Sequence, residues 1–502
     1  MREWRGRMIF ISALFSRLND VVGGSRRMRG TFWLAFLLSS ALIVAAARGD
    51  LWLDELMSLS FARTSHSITD IFVRFHYDNN HPLNTVFLYL AGVRQTLFIY
   101  RSFAVLSGIG SVFLVGYIAG KHWGAPEALC SIVLTGTSYP LLLYFSEARG
   151  YAPAIFFALA AYALLQQNWR RFHPARLVLF WAASILGVLS HSTFIMATIA
   201  FCIASLAHEI QAAGSWRQKS LRLTAHHAPP LVFFAWWYGF FLKDMVIAGG
   251  PIYSKWEVLT QASALLMGFP ETHGFMVAAA VVVLAVVAVG VASLGRERDP
   301  QWTFFLTVLV LAPALVLIAT RPTYLYFRYF IVCFPFFYLV LSRLACRGFR
   351  VWPNWGRWLL AGAVAMLIAG QTPRVYSLLI LGRGSYSNAL AHIAERSPSG
   401  IVCVGGDQDF RNHLLFAFYA PRVPGGNRLR YIEQPRWGEY PPDWFILQSQ
   451  DLAYQPPRGI ELDGIGGYHL TDEYRFSGIS GWGWFVFRRA TPDDRTEGGK
   501  TE

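Results

Sequence analysis

Charged residues are scarce in this chain of 502 residues: they make up 15% of the sequence, whereas hydrophobic residues make up 54%. A soluble protein of average composition carries about 25% charged residues. This deficit, together with repeated apolar runs of about 20 residues, excludes an ordinary soluble enzyme and predicts a polytopic membrane protein. The net charge of +14 does not indicate a nucleic-acid partner, because in a membrane protein the position of the basic residues carries the information.

Cysteine is also scarce. The five cysteines show no CxxC spacing, which excludes a disulfide framework and a thiolate zinc site. The sequence has no glycine-rich phosphate loop, no Ser-His-Asp order and no nucleotide fingerprint. No small-residue cleavage site follows the basic N-terminus, so we expect residues 31–47 to be a retained helix rather than a signal peptide.

The positions of the basic residues predict the topology. Seven arginines precede Gly30 and indicate a cytoplasmic N-terminus, since cytoplasmic loops are enriched in Lys and Arg. Alternation of basic and non-basic loops then predicts eleven spans and an outer C-terminus, with His191 at the outer turn of a hairpin. The predicted spans are 31–49, 101–119, 124–145, 151–167, two within 177–208, 227–243, 274–294, 302–320, 326–343 and 355–371.

The apolar segment 82–98 is the exception to this pattern. If it crossed the bilayer, Lys121 and the arginines of 168–176 would lie on the outer side, against the expected distribution of positive charge. We therefore interpret 82–98 as a surface or partly inserted helix.

Composition divides the chain into four parts. A basic cytoplasmic N-terminus, 1–30, precedes a membrane domain, 31–384, whose first periplasmic loop is 50–100. From 385 to 490 the composition is that of a soluble protein, and we predict a small α/β domain there. Its predicted helices are 386–396 and 410–419, with an apolar run at 401–404 between them, and its predicted strands are 443–448 and 483–488. The polar tail 491–502 is expected to be disordered.

The first outer loop contains the adjacent carboxylates Asp54 and Glu55. Two carboxylates at a bilayer surface resist joint ionisation, and such a pair suits a general base or a metal ligand; a divalent metal stays open. The alternative is that Asp54 is only the N-cap of the following helix. Ser67 and Asp70 are expected to form a capping box. The run 76–81, HYDNNH, lacks an established metal-ligand spacing and is more typical of a solvated loop.

Four further residues combine charge with an interfacial location. Glu147 and Arg149 follow the third predicted span, where they suit a phosphate-bearing lipid or form only an exposed pair of little energetic value. Arg328 lies among tyrosines at the start of a late span, and Arg101 opens the second. Either arginine serves a substrate or snorkels to the interface.

Five sequence segments, in this order, resemble motifs of one known family: LDELMSLSFA, DNNHPL, YRSF, SEARGYA and FRYFIVCFPF. The chain resembles the bacterial GT-C membrane glycosyltransferases, which include protein O-mannosyltransferases and lipid A aminoarabinose transferases. The resemblance covers roughly residues 31–345. One departure is that the usual His-Pro-Pro is His-Pro-Leu here.

The resemblance implies an α-helical GT-C enzyme of the bacterial inner membrane. Such an enzyme would transfer a sugar, with inversion, from a polyprenyl phosphate to a periplasmic glycan, lipid or protein. By the match, Asp54 or Glu55 activates the acceptor, and Glu147 takes the place of the second-loop acid. The residues implied to contact the lipid phosphate or sugar are His81, Arg149, Arg328, Arg101, His191 and Tyr151.

Two other classes of function stay open. A lipid-linked glycan transporter typically shows internal repeats and helices broken at mid-membrane, and neither is evident here. A scaffold protein has no need of a carboxylate pair at the membrane surface. The sequence favours the glycosyltransferase without naming its sugar or its acceptor.

Overall fold

The computed structural model of this chain describes residues 25–247, 249–397 and 400–490. The predictions for residues 1–24 and for the tail 491–502 therefore lie outside the described residues. The chain forms two compact units. The membrane unit contains the described residues up to Ala47 together with 61–92 and 100–375, and the C-terminal unit contains 48–60, 93–99 and the chain from Tyr376 onward.

Most of the chain is α-helical. The helices, in chain order, are α1 Arg26–Ala46, α2 Leu53–Thr64, α3 Ile68–Val73, α4 Pro82–Ala91, α5 Phe98–His122, α6 Ala125–Thr137, α7 Tyr139–Phe145, α8 Tyr151–Arg170, α9 Pro174–Ser190, α10 Ile195–Gln211, α11 Trp216–Trp237, α12 Lys255–Met267, α13 His273–Arg296, α14 Trp302–Leu306, α15 Ala312–Thr320, α16 Phe334–Val351, α17 Asn354–Leu381, α18 Tyr386–Glu395 and α19 Asp409–Tyr419. A π-helical turn, Thr307–Leu311, joins α14 to α15, and a 3₁₀ segment, Phe327–Cys333, leads into α16.

Each of the eleven predicted spans overlaps at least one helix, although 124–145 is divided between α6 and α7, and a polytopic helical fold is confirmed. By length and composition, seven helices among the described residues are long and apolar enough to cross a membrane, or eight if the bent pair α6 and α7 counts as one. The helices α8, α9 and α11 are too short or too polar for the same criterion. Their spans stay predictions.

The segment predicted to lie on the membrane surface forms the short helix α4. It has ten residues and is therefore about 15 Å long at 1.5 Å per residue, whereas the hydrocarbon core of a bilayer is about 30 Å thick. Gly92, with a φ of +64°, ends the helix, so α4 alone does not cross the membrane.

Cysteines placed on either side of α4 test its position. In a variant lacking the five native cysteines, we expect Thr69→Cys and Arg94→Cys, both at exposed positions, to react with an impermeant maleimide added to intact spheroplasts. Labelling of position 94 only after permeabilisation would mean that the chain crosses the bilayer between the two sites.

A bend of 70° between α6 and α7 directs the chain toward Glu147 and Arg149. Polar side chains bond to this break. The amide oxygen of Gln371 accepts a hydrogen bond from the backbone N–H of Tyr139 (3.1 Å), and the Tyr338 hydroxyl is hydrogen-bonded to the Ser138 hydroxyl (3.0 Å). Gln371, Tyr338 and Ser138 are all buried. These contacts fix the bend within the core of the membrane unit.

The C-terminal unit contains a six-stranded mixed sheet. Its strands are β1 Val402–Gly406, β2 Leu429–Tyr431, β3 Trp444–Ser449, β4 Gly459–Leu462, β5 Gly466–Tyr474 and β6 Gly483–Arg489, in the spatial order β2-β1-β3-β6-β5-β4. The strands β2, β1 and β3 are parallel, and the other pairs are antiparallel. The predicted helices and the two predicted strands, β3 and β6, are confirmed, whereas β1, β2, β4 and β5 were not predicted as strands.

Candidate active site

The second half of the loop 76–81 is buried, so its interpretation as a solvated loop is wrong for these residues. Asn79, Asn80 and His81 are each at most 5% exposed. The Asn80 side chain donates to the carbonyls of Ile71 and Phe75, both at 2.8 Å, and this satisfies the turn internally. Pro82 then begins α4 directly after His81, where a proline is favourable because the first helical N–H needs no partner.

His81 lies against His191 and Tyr151. The centroid of its ring is 4.7 Å from that of His191 and 5.5 Å from that of Tyr151, and the rings of His191 and Tyr151 are 4.2 Å apart. The Nε2 atom of His81 is buried and has no hydrogen-bond partner among residues 25–247, 249–397 and 400–490. A buried polar atom in this state is uncommon in folded proteins and is suited to a ligand.

His191 lies at the turn of a helical hairpin, as predicted. Helix α9 ends at Ser190 and α10 begins at Ile195. The backbone N–H of Thr193 donates to Nδ1 of His191 (3.1 Å) and fixes the orientation of the ring. Nδ1 is therefore the acceptor nitrogen in this contact.

Glu147 and Arg149 form a buried pair, so their interpretation as an exposed surface pair is wrong. They are 0% and 3% exposed, and an Nη of Arg149 lies 3.9 Å from Oε2 of Glu147. Arg149 also donates to Oδ1 of Asn79 (2.8 Å), and its guanidinium carbon lies 4.9 Å from the centroid of the Tyr151 ring. A buried guanidinium needs several such partners to offset its desolvation.

Gly150 allows these segments to meet. A Cβ atom at this position would lie 1.9 Å from the carbonyl oxygen of Ser190 and 2.7 Å from Cβ of His81. Sequence analysis missed the roles of Gly150 and Asn79. The glycine between Arg149 and Tyr151 was the available signal, because a glycine inside a motif often marks a close approach of backbones.

Arg328 is also near these residues. Its guanidinium carbon lies 4.4 Å from the centroid of the Tyr326 ring, and its charge acts on His81 and His191. Arg101 has a different setting: it is fully buried in the first turn of α5 and donates to the carbonyl of Ala47 just after α1 (3.1 Å). A cation at a helix C-terminus is favourable, so Arg101 helps to hold the end of the first span.

Burial sets the charge of the two histidines. Burial lowers the pKa of His81 well below its usual range, and the neighbouring His191, Arg149 and Arg328 lower it further. Burial, Arg149 and Arg328 lower the pKa of His191 to about 3. Both rings are therefore neutral at neutral pH. In this state His81 offers a hydrogen bond rather than a cation, and the positive charge comes from the arginines.

The first-loop carboxylates belong to the C-terminal unit. Helix α2 begins at Leu53, so Trp52 is the N-cap, and the interpretation of Asp54 as the N-cap is wrong. Glu55 is fully buried, and its Oε2 accepts a hydrogen bond from the backbone N–H of Trp52 (3.1 Å). This is the carboxylate half of a capping box. Asp54 lies in the first turn and is only partly buried.

The N-cap half of the predicted capping box is confirmed. Ser67 accepts from the N–H of Asp70 (3.3 Å), whereas Asp70 accepts from the N–H of His66 (2.7 Å), one residue before the N-cap. In the part of the chain that the structure describes, no group of three or more His, Cys, Asp or Glu side chains is arranged to hold a metal ion.

The fold resembles that of known membrane enzymes, although the sequence matches no protein family model and no curated protein. Crystal structures of ArnT from Cupriavidus metallidurans, in the apo state and bound to undecaprenyl phosphate, are similar over 91% and 93% of this chain. The alignments include 98% and 99% of the ArnT chains, with TM-scores of 0.51 and 0.52, and the sequence identity is 12% in both. An oligosaccharyltransferase from Archaeoglobus fulgidus gives a TM-score of 0.47 at 11% identity, over 83% of this chain and 68% of that one.

The ArnT structures align over nearly the whole of both chains, and the segments that resemble GT-C motifs contribute the buried group around His81, Arg149 and Tyr151. Identity at this level shows the fold alone. The chain therefore has an ArnT-like fold.

Proposed function

We propose that this protein is an integral membrane glycosyltransferase that uses a polyprenyl-phosphate sugar as its donor. The observation that carries the proposal is the buried group His81, Arg149 and His191 with the nearby Arg328, on an ArnT-like fold. We refer to these four residues as the basic cluster. A buried arginine with a second arginine nearby and an N–H donor suits a phosphate, and one of the ArnT structures has undecaprenyl phosphate bound.

In this proposal the reaction is a displacement at the anomeric carbon of the donor sugar. The acceptor hydroxyl oxygen forms a bond to that carbon, while the bond from carbon to phosphate oxygen breaks and its electron pair stays on the phosphate. The acceptor proton passes to a carboxylate, for which we propose Asp54. Attack from the face opposite the phosphate inverts the configuration. Arg149 and Arg328 offset the charge that develops on the phosphate.

The other candidate residues have supporting roles in this proposal. Glu147 and Asn79 orient Arg149, as their contacts with its guanidinium indicate. Tyr151 packs against Arg149 and His191, and it keeps the cluster shielded from water. Neutral His81 donates a hydrogen bond from Nε2 to a phosphate oxygen. Arg101 has a structural role, because it bonds the carbonyl of Ala47 at the end of the first span.

Binding and transfer assays test this function directly. We expect the protein, purified into lipid nanodiscs, to bind undecaprenyl phosphate. We also expect it to transfer labelled sugar from one of a panel of undecaprenyl-phosphate sugars to an envelope fraction from a strain that lacks the gene. Movement of the labelled lipid across the bilayer without transfer would favour the transporter, and no binding would contradict the proposed donor.

The proposed orientation has a cytoplasmic N-terminus and a periplasmic C-terminal domain in the inner membrane. It rests on the alternation of basic loops. Alkaline phosphatase fused after residue 400 is expected to be active, because this reporter folds only in an oxidising compartment. An inactive phosphatase together with an active cytoplasmic reporter at the same position would contradict the orientation.

A further inference from the structure

The segment that carries Asp54 is anchored to the C-terminal sheet domain within the same compact unit. The Asp50 carboxylate accepts two hydrogen bonds from Ser387, one from its backbone N–H (2.7 Å) and one from its hydroxyl (3.0 Å). The Tyr419 hydroxyl donates to the carbonyl of Leu51 (2.9 Å). The Trp52 ring lies 5.8 Å, centroid to centroid, from the Trp482 ring. Three consecutive residues thus contact three separate parts of this domain.

Asp50 caps a helix that is distant in sequence. Ser387 lies in the first turn of α18, whose own N-cap residue, Ser385, makes no side-chain capping bond. The Asp50 carboxylate is 8% exposed and supplies an acceptor for an N–H of that turn, where negative charge is favourable. The position of Asp50 is therefore set by α18.

The partner of Trp52 is held rigidly. Trp482 donates its backbone N–H to the Tyr386 hydroxyl (3.1 Å), which itself donates to the carbonyl of Arg383 (2.9 Å). Gly481, with a φ of +106°, precedes it, and a Cβ there would lie 1.7 Å from the same carbonyl oxygen. Trp482 is 5% exposed. Trp52 therefore packs on a fixed surface of the C-terminal domain.

These anchors end immediately before the first turn of α2. Trp52 is the N-cap, and its N–H is bound to Glu55, so the orientation of residues 50–52 determines where α2 begins. Asp54 is the second residue of that helix. A shift of the anchored residues would move its carboxylate with them.

We propose that the C-terminal domain positions Asp54 for catalysis, with Asp50, Tyr419 and Trp482 as positioning residues. This inference rests on the proposed function, because it assumes that Asp54 is the base. It gives the sheet domain a role in the chemical step rather than in binding of the donor. Misplacement of a catalytic group by about 1 Å costs up to about 100-fold in rate.

Tyr419→Phe tests the proposal, with Tyr468→Phe as its matched control. Both hydroxyls are buried donors to backbone carbonyls: Tyr419 bonds Leu51, and Tyr468 bonds Pro442 (2.6 Å) within the sheet domain. We expect Tyr419→Phe to increase hydrogen exchange in a peptide covering residues 50–56 by about 3- to 10-fold, the value of one buried hydrogen bond. The control should leave that peptide unchanged.

Kinetics separate positioning from mere stability. With the labelled undecaprenyl-phosphate sugar that supports transfer, Tyr419→Phe should lower kcat by about 10-fold or more. The KM for that donor should stay unchanged, because the basic cluster belongs to the membrane unit. Unchanged exchange at 50–56, or increased exchange with an unchanged kcat, would overturn the positioning role.

Asp50 provides a second, independent variant. Asp50→Asn keeps one acceptor for the Ser387 N–H, whereas Asp50→Ala removes both bonds. We expect the alanine variant to lose transfer and the asparagine variant to recover most of it. Equal activity of the two at the wild-type level would contradict the inference. The Asp54→Asn variant tests the proposed base separately. If this variant transfers sugar normally, Asp54 is not the base, even if the hydrogen-exchange results are as expected.

Discussion

Asp54→Asn is expected to reduce the rate of sugar transfer by about 10²- to 10⁴-fold, the usual contribution of a general base. Asparagine keeps the size of the side chain and its capacity to accept a hydrogen bond, but it cannot take the acceptor proton. Asp54 lies in the first turn of α2 rather than at its N-cap, so the start of the helix does not depend on its carboxylate. The measurement is initial transfer rate with the protein in nanodiscs, beside its melting temperature.

Glu55→Gln is the matched control for this substitution. A glutamine oxygen still accepts from the N–H of Trp52, so the first turn of α2 is retained while one charge is removed. Full burial of Glu55 leaves it less available to an acceptor than the partly buried Asp54, and we expect the larger loss at Asp54. The reverse order would make Glu55 the base. Near-normal transfer in both variants would remove the first loop from the catalytic centre.

The positions of the apolar helices were predictable because a membrane helix is defined by its own composition. About 20 apolar residues are needed to cross the hydrocarbon core, and this requirement is local in sequence. The hairpin at His191 was predictable for the same reason, since 177–208 is too long for one span. The bend between α6 and α7 was not predictable, because its partners are distant in sequence: Gln371 accepts from the N–H of Tyr139, 232 residues away, and Tyr338 bonds the Ser138 hydroxyl, 200 residues away.

The burial of the site was also beyond local reasoning. HYDNNH is polar and resembles a solvated loop, yet Asn79 is buried because its partner is Arg149, 70 residues later. Glu147 and Arg149 likewise resemble an exposed pair in the sequence, because the sequence does not show that Asn79 is a partner of Arg149. A polar residue is buried only where partners are supplied, and single-sequence patterns do not reveal those partners.

The C-terminal sheet shows a different limit. β3 and β6 were predicted as strands, and β1 was noted only as an apolar run, whereas β2 has three residues and β4 is half exposed. β5 pairs through a bulge between Leu470 and Asp472, which interrupts the alternation expected of a strand. The predicted start of α2 was also in error. The helix begins at Leu53, so its N-cap is Trp52 rather than Asp54, a difference within the usual uncertainty of helix ends.

The second large effect is expected at Arg149. Arg149→Lys keeps a positive charge but loses the planar fork that bonds Asn79 and that would bind two phosphate oxygens. Hydrogen bonds to charged groups contribute about 1.5–3 kcal/mol, so the affinity for undecaprenyl phosphate should fall by about 10- to 100-fold. Titration of the lipid into nanodisc-bound protein measures this. The lysine variant is preferable to Arg149→Ala, which would leave Glu147 buried opposite a cavity and destabilise the fold.

Arg343→Lys is the matched control for Arg149→Lys. Arg343 is also a buried arginine of the membrane unit, 8% exposed, and it pairs with Glu297 and bonds Ser293. Arg343→Lys removes a guanidinium from the core but leaves the basic cluster unchanged. It therefore measures how much binding is lost through lower stability alone. We expect the control to bind undecaprenyl phosphate with wild-type affinity. If Arg149→Lys also binds it with wild-type affinity, the phosphate of the donor does not contact Arg149. The basic cluster would then need another ligand.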